Sequence, residues 1–323
     1  MNRAAGDHRS AGGARVLSAD FLFHKLALAT AILVGVALVA VVGAIAYDSW
    51  PAIKTFGVLG FLAGRQWNPV SNQFGAFPFI VGTLVSSAIA MLLAVPLSFG
   101  IAVFISELAP SWMKQPVSSA IEMLASVPSI VYGLWGLLVF APAFADAEPW
   151  INDHLGAIPG IGLLFQGPPM GIGMLAAGIV LAIMILPYIS SIMRDVFVAT
   201  PARLKESAYA MGATTWEVAR SILLPYTRTA VTGGIFLGLG RALGETMAVT
   251  FVIGNSDNLS ASLLMPGASI PSVIANEFTE ATSKLYISSL IYLGLVLIGI
   301  TLIVQALALV LLGTVGRGVR SAP

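Results

Sequence analysis

The chain has no cysteine, only three histidines and few charged residues. Without cysteine it can form no disulfide, no thiol nucleophile and no cysteine-based zinc site. The histidines are His8, His24 and His154. They lie too far apart in the sequence to indicate a metal site or a general base. The sequence therefore predicts neither a bound metal nor a catalytic residue.

Charged residues make up only 10% of the chain, whereas hydrophobic residues make up 57%. A typical soluble domain carries about 25% charged residues, so this chain has too few charges to cover a soluble surface. The net charge of +1 comes from basic residues scattered along the sequence, which indicates no patch for nucleic acid. We therefore predict that a lipid bilayer surrounds most of the protein.

A nucleotide-binding signature is also missing. No G-x-x-x-x-G-K-[ST] motif is present and no lysine follows a glycine, so the chain carries no recognisable P-loop. One G-x-G-x-x-A string occurs at residues 171–176, but it opens a predicted membrane span instead of following a strand. Small residues for helix packing explain it better. We predict that this chain binds no cofactor and is not itself an enzyme.

Six apolar stretches are long enough to cross a bilayer, which takes about 20 helical residues. We place them at 25–47, 77–105, 117–141, 171–193, 228–253 and 285–312. In lipid, only a helix satisfies every backbone group within one segment, so the sequence predicts an all-α integral membrane protein. Pro96, Pro128 and Pro187 lie inside these spans, where proline is expected to kink a helix. The first apolar run is longer than that of a signal peptide, which favours an uncleaved anchor.

Lysine and arginine are distributed unevenly over the connections. If the N-terminus is cytoplasmic, twelve lie in inner segments and three in outer segments, namely Lys54, Arg65 and Lys284. Positive residues favour the inner side, so the asymmetry predicts that both termini are cytoplasmic. The predicted arrangement is a tail at 1–24, a first transmembrane helix at 25–47, an extracytoplasmic loop at 48–76, a transmembrane domain at 77–313 and a tail at 314–323. The further outer connections are 142–170 and 254–284.

The longest cytoplasmic connection, residues 194–227, has signals for two short helices joined at Gly212. The start signals are Thr200 before Pro201, and the capping-box pair Thr214 and Glu217. Glycine after a helix favours a left-handed conformation that ends it. We expect the second helix to stop before Pro225. Such a pair of short helices either merely joins two spans or docks a soluble partner.

Within this connection, residues 206–225 resemble the EAA loop of ABC importer permeases. That signature is E-A-A, three residues, G, nine residues and I-x-L-P; every spacing matches, and serine replaces only the first alanine. The matching residues are Glu206, Ser207, Ala208, Gly212, Ile222, Leu224 and Pro225. The resemblance implies a type I ABC importer permease (MetI-like) fold. It also implies that residues 200–225 form a coupling loop that fits a cleft on a separate ATPase subunit.

A charged pair lies inside the fifth predicted span, where Glu245 follows Arg241 by four residues. On a continuous helix such residues face the same side and can form an ion pair. Charges within a membrane face the bundle interior or a watery path, so the pair either fixes packing or lies on an anion path. Glycines spaced four apart predict close helix packing on the same span. They are Gly234, Gly238, Gly240 and Gly244.

Two longer strings, at 127–136 and 241–255, resemble the C-type permease subunits of high-affinity phosphate importers, the PstC family. The resemblance covers about residues 25–313. It implies import of inorganic phosphate across the bacterial plasma (inner) membrane, with Arg241 and Glu245 on the substrate path. The partners that it implies are a second, A-type permease subunit, two ATPase subunits that carry ATP and Mg, and an extracytoplasmic phosphate-binding protein.

The residues by themselves leave other functions open. A permease for another oxyanion, such as sulfate or molybdate, would use the same coupling loop, because the choice of substrate can lie in the binding protein. An ion-coupled secondary transporter would show inverted repeats and broken helices, and the sequence has no clear repeat. A non-transporting scaffold would not need an arginine inside the membrane.

Overall fold

The computed structural model describes the backbone of residues 10–317 and the side chains of residues 21–310. Helices make up most of the described chain. In order they are α1 (Ser10–Asp48), α2 (Trp50–Phe56), α3 (Val58–Ala63), α4 (Phe77–Val103), α5 (Ser111–Ala125), α6 (Ser129–Trp135), α7 (Ala141–Leu155), α8 (Met174–Val198), α9 (Ala202–Ala210), α10 (Thr215–Val218), α11 (Leu224–Leu243), α12 (Met247–Val252), α13 (Ile270–Glu277) and α14 (Lys284–Arg317). One antiparallel hairpin, β1 (Trp67–Asn68) and β2 (Gln73–Phe74), lies between α3 and α4.

Six helical segments of the described residues are long and apolar enough to cross a membrane. They are Phe21–Asp48, Phe77–Leu108, Ser129–Leu155, Met174–Val198, Thr215–Leu243 and Lys284–Val310. The predicted all-α membrane architecture and the predicted number of spans are therefore confirmed. The third segment joins α6 to α7 through π-helical residues Gly136–Phe140, and the fifth joins α10 to α11 through π-helical residues Ala219–Leu223.

The third span differs from the predicted stretch at 117–141. The helical ladder is interrupted after α5, at residues 126–128, and α6 starts the span proper. Pro128 has φ −57° and ψ 137° directly before α6, so it separates two helices instead of kinking one. Proline lacks the N–H that a helix needs, and it disfavours helical geometry in the preceding residue. Pro96 and Pro187 do lie inside helices, α4 and α8 respectively.

Three π-helical turns each end two residues before a proline. In each turn the N–H of the residue preceding the proline bonds to the carbonyl five residues back; these donors are Ala109, Ala141 and Leu224. A proline ring clashes with the carbonyl four residues before it in a regular helix. The wider π turn relieves this clash. The predicted helix stop before Pro225 is therefore wrong, because the helix passes through this proline into α11.

The ends of the chain also differ from the predicted boundaries. Helix α1 already begins at Ser10, so the described part of the predicted 1–24 tail is helical, and residues 1–9 lie outside the described residues. Helix α14 runs to Arg317, past the predicted boundary at 313, and residues 318–323 lie outside the described residues. The cytoplasmic location of both termini stays a prediction.

Helix α8 is the centre of the bundle. In its apolar stretch 61% of the residues are buried within the chain, against 0% in α1, so α1 lies at the edge. Helix α4 packs closely along α8, because a Cβ atom on Gly178 would lie only 2.5 Å from Cγ2 of Ile89. The Ser98 hydroxyl also donates to the Leu186 carbonyl at 3.0 Å. These two helices supply much of the main buried core.

A second buried cluster joins the β-hairpin to α13 and the first half of α14. Its polar centre is Glu277, whose Oε2 accepts hydrogen bonds from Trp67 Nε1 at 2.7 Å and from the Tyr286 hydroxyl at 2.6 Å. The Trp67 bond connects the two segments predicted to be extracytoplasmic, 48–76 and 254–284, and the Tyr286 bond connects the second of them to α14. The segments therefore form one cap on the same end of the bundle.

Candidate translocation site and coupling loop

Two interrupted helices meet inside the bundle. One interruption precedes α6, and the other separates α11 from α12 at residues 244–246. A Cβ atom on Gly133 of α6 would lie 2.9 Å from the Met247 carbonyl oxygen and 3.1 Å from Cα of Ala248. The two backbones are thus in direct contact, which only glycine permits at this position. The strings at 127–136 and 241–255, separate in the sequence, form one site.

We expect Gly133→Ala to push α6 and α12 apart. The added methyl group would meet backbone atoms of α12, which cannot rotate away, and overpacking of this kind costs about 1–3 kcal/mol. The melting temperature of the purified protein and its transport per assembled complex should both fall. Gly35→Ala is the matched control, because a Cβ atom there meets nothing within 4 Å. Equal behaviour of the two variants would show that the contact at Gly133 is unimportant.

Arg241 lies in the last turn of α11, with its side chain exposed in the isolated chain. Its guanidinium carbon lies 5.6 Å from the centre of the Tyr188 ring on α8. A cation at this distance from an aromatic face is attracted by the ring, and the C-terminal end of a helix also favours a positive charge. The arginine is therefore held by a neutral ring, and the charge of its guanidinium remains available to another group.

The predicted ion pair between Arg241 and Glu245 is wrong. The ion pairs among the described residues do not include either residue. Helix α11 ends at Leu243, so the four-residue spacing no longer places the two side chains on one face. Oε1 of Glu245 instead accepts a hydrogen bond from the Ala248 N–H at 3.2 Å. There the carboxylate satisfies a backbone donor in the first turn of α12.

Tyr132 connects this arrangement to the first helix interruption. Its ring lies in the first turn of α6, within electrostatic reach of Arg241. Its hydroxyl donates to the Leu124 carbonyl at 2.9 Å and so bridges the interruption between α5 and α6. The Tyr188 ring of α8 therefore lies against the arginine, and Tyr132 of α6 lies within its electrostatic influence. Neither tyrosine could be predicted as a site residue from the sequence, because an aromatic residue in an apolar span does not by itself indicate a polar contact.

The four glycines predicted to allow close packing have different roles. Cβ atoms on Gly234 and Gly238 would each lie 2.7 Å from an isoleucine of α8, so these two allow close packing. A Cβ atom on Gly240 would lie 2.8 Å from Nε2 of Gln305 on α14. Gly244 packs against no other helix, since the nearest atom to its Cβ position is the Gly240 carbonyl oxygen at 3.7 Å, and it ends α11.

The predicted coupling loop forms two helices with a sharp corner between them. Gly212 has φ +87° at the corner, as predicted. The predicted capping box is also confirmed: the Glu217 N–H donates to Thr214 Oγ1 at 3.3 Å, and the Thr214 N–H donates to Glu217 Oε2 at 2.7 Å. The predicted cap at Thr200 is wrong, because its hydroxyl bonds back to the Val196 carbonyl.

The residues of the EAA-like motif divide between the surface and the core. Glu206 and Ser207 are exposed on α9, whereas Ala208 is buried. Ile222 and Leu224 pack against the main core, next to Pro225. Because the helix passes through this proline, the segment Thr215–Leu243 is one helix of 29 residues. It connects the corner directly to the turn that carries Arg241.

Comparison with known proteins shows the class of this chain. The family model of the binding-protein-dependent transport system inner membrane component matches residues 94–319. This match spans more than half of the chain, which belongs to this family of ABC importer permeases. A bacterial ABC transporter involved in the import of the acidic polysaccharide alginate has a TM-score of 0.59 at 16% identity, covering 91% of this chain and 97% of that chain. That likeness confirms the predicted permease fold.

Its relatives show the branch of the family. The chain is 54% identical over 300 residues to the phosphate transport system permease protein PstC of Xylella fastidiosa (strain 9a5c), covering 93% of this chain and 92% of that protein. It is 52% identical over 294 residues to the protein of that name from Pasteurella multocida, covering 91% of both. The chain is therefore of the PstC type. With its six apolar helices it is a multi-pass inner membrane protein.

The comparisons also decide between the classes of function left open by the residues. Membership of an ABC permease family excludes the ion-coupled secondary transporter and the scaffold. Broken helices, expected above for a secondary transporter, thus occur in an ABC permease as well. The family is one of transport components, so the chain is a transport subunit.

Proposed function

We propose that this chain is the permease subunit through which an ATP-driven importer moves inorganic phosphate into the cytoplasm, past Arg241. The proposal rests on the position and contacts of this arginine. It lies at the junction of two interrupted helices and is held by the Tyr188 ring, with no carboxylate within ion-pair distance among the described residues. An intramembrane guanidinium in this state can compensate the charge of a passing anion.

The chemistry of the site suits a tetrahedral oxyanion. A guanidinium is a planar fork that can donate two hydrogen bonds to phosphate, and such charge-assisted bonds are strong. The third span also begins beside Tyr132, and the start of a helix carries a partial positive charge. Glu245 would keep the region from holding the anion too tightly, since a carboxylate repels phosphate. The residence of the anion at the site would then be short.

The coupling loop would link ATP hydrolysis on a separate subunit to conformational change at this site. The corner at Gly212, with exposed residues Met211 and Trp216 beside it, would dock into a separate ATPase subunit that holds ATP and Mg. Movement of the corner would act on one continuous helix whose last turn carries Arg241. The complex would comprise this chain, an A-type permease, two such ATPase subunits and an extracytoplasmic phosphate-binding protein. A relative of similar fold is recorded with a periplasmic protein bound to alginate pentasaccharide.

Phosphate is favoured over other oxyanions by the names of the relatives that cover nearly all of this chain. An arginine fork would serve sulfate or molybdate as well, so the test must compare them. In vesicles containing the complete complex, phosphate-loaded binding protein should stimulate both ATP hydrolysis and uptake of labelled phosphate. Sulfate and molybdate should do neither. Stimulation by sulfate or molybdate alone would assign the permease to that oxyanion.

We expect the corner and the outer connection to lie on opposite sides of the membrane. A reporter that is active only outside the cytoplasm should be active when fused within residues 142–170. The same reporter should be silent when fused within residues 201–223. The physical reason is the excess of lysine and arginine in the inner segments. The reverse result would place the corner where no cytoplasmic ATPase can reach it.

A further inference from the structure

A nearly buried ion pair joins the coupling loop to the end of the second span. Glu107 follows α4 in the π-helical turn Phe104–Leu108, and only 7% of its side chain is exposed. Its Oε1 lies 3.1 Å from Nζ of Lys205 on α9, whose side chain is 18% exposed. Its Oε2 accepts a hydrogen bond from the Tyr209 hydroxyl at 3.4 Å, also from α9. Both carboxylate oxygens are thus held by the coupling loop.

The carboxylate of the Glu107–Lys205 pair is far more buried than those of the two ion pairs that Arg194 forms. Arg194, whose side chain is 12% exposed, pairs with Glu122 and Asp195, but the side chains of those carboxylates are 59% and 65% exposed. Water reaches these exposed carboxylates and screens their charge, so the Arg194 pairs contribute less to rigidity than a pair with both partners nearly buried. A desolvated pair holds its partners more firmly, because separation would leave a charge without water or a counterion. The Glu107–Lys205 pair is therefore the firmest polar connection between α9 and the bundle.

The turn that carries Glu107 is itself fixed on its other side. Nζ of Lys114 in α5 donates to the Ser106 carbonyl at 2.8 Å. Helix α4, which leads into this turn, packs along the central helix α8. A displacement of α9 would therefore pull on a turn that is rigidly connected to α4. This route is separate from the continuous helix that connects the corner to Arg241.

We propose that Glu107 and Lys205 are coupling residues that transmit movement of the coupling loop to α4, so that ATP hydrolysis is tied to opening of the permease. The inference rests on the proposed docking of the loop to an ATPase subunit. It assigns to the ion pair a role beyond holding the loop in place. Without the pair, the ATPase subunit would still bind the permease and hydrolyse ATP, but α4 would not move with the coupling loop.

The test uses the complete complex in vesicles and measures ATP hydrolysed per phosphate taken up. In Lys205→Gln this ratio should rise about tenfold, within the range of about 5–150-fold typical of coupling between sites. ATPase subunits bound per permease should stay unchanged. Lys205→Arg keeps the cation and should restore the normal ratio. Glu122→Gln removes an ion pair whose carboxylate is exposed and leaves Arg194 paired with Asp195, so it is the matched control, with an unchanged ratio expected.

Lys205→Gln leaves Glu107 buried without its cation, and this unpaired charge could by itself destabilise the protein. A second variant separates that destabilisation from a loss of coupling. The double variant Glu107→Gln/Lys205→Gln has no stranded charge and should assemble normally. If the pair transmits movement, the double variant stays uncoupled; a normal ratio would overturn the proposal. Loss of the ATPase subunit from either variant would also overturn it, because the pair would then act in docking. Failure of the proposed function itself would show differently, as absence of phosphate-stimulated hydrolysis in the unaltered complex.

Discussion

Arg241→Gln is expected to lower phosphate uptake per assembled complex about a hundredfold, because the passing anion loses charge-assisted hydrogen bonds worth about 1.5–3 kcal/mol each. Assembly should be nearly unaffected, since Arg241 takes part in none of the ion pairs among the described residues and its loss strands no carboxylate. The measurement is uptake of labelled phosphate, normalised to the amount of assembled complex in the membrane.

Two further variants distinguish a conduction role of Arg241 from a structural role. Arg241→Lys keeps the positive charge but loses the planar fork, so its uptake should fall between those of the unaltered protein and Arg241→Gln. The double variant Arg241→Gln/Glu245→Gln removes both charges of the site and should assemble but remain inactive. Near-normal uptake by the double variant would contradict the conduction role. Arg241 would then be a structural residue that only packs against Tyr188.

Gly212→Val is expected to weaken binding of the ATPase subunit at least tenfold while the membrane spans still insert. Gly212 has φ +87°, a conformation that a β-branched residue resists at a cost of about 1–3 kcal/mol. A Cβ atom at this position meets no described residue within 4 Å, so a steric clash with the described part of the chain cannot cause the defect. The expected cause is a change in the backbone of the corner, and the measurement is ATPase subunit copurified per permease.

Gly212→Asn provides the control for this variant. Asparagine adopts positive φ more readily than other residues with a side chain, and the open space around the corner accommodates it. It should therefore keep ATPase binding and transport close to normal. If Gly212→Val also bound the ATPase fully and transported phosphate, the corner would not be the docking element. Equal loss in both variants would indicate that the ATPase contacts this position closely enough to exclude any side chain.

The sequence by itself determined the features that depend on neighbouring residues. Six apolar stretches predict six helices, because lipid demands that each segment satisfy its own backbone. The positive φ of Gly212 and the Thr214–Glu217 capping box also followed from local rules and are confirmed. The EAA-like spacing and the strings at 127–136 and 241–255 indicated the family, which the relatives confirm.

Only the tertiary structure decided how these parts combine. The apolar stretch at 228–253 predicted a continuous fifth span, and the four-residue spacing predicted an Arg241–Glu245 pair, but the helix ends between the two residues. The contact of Gly133 with α12 makes this interruption part of the site. Likewise, Glu107 and Lys205 are far apart in the sequence, and the residues around each of them do not indicate that the two are in contact. Side chains on separate helices meet only when the whole bundle packs, so their partners follow from the fold.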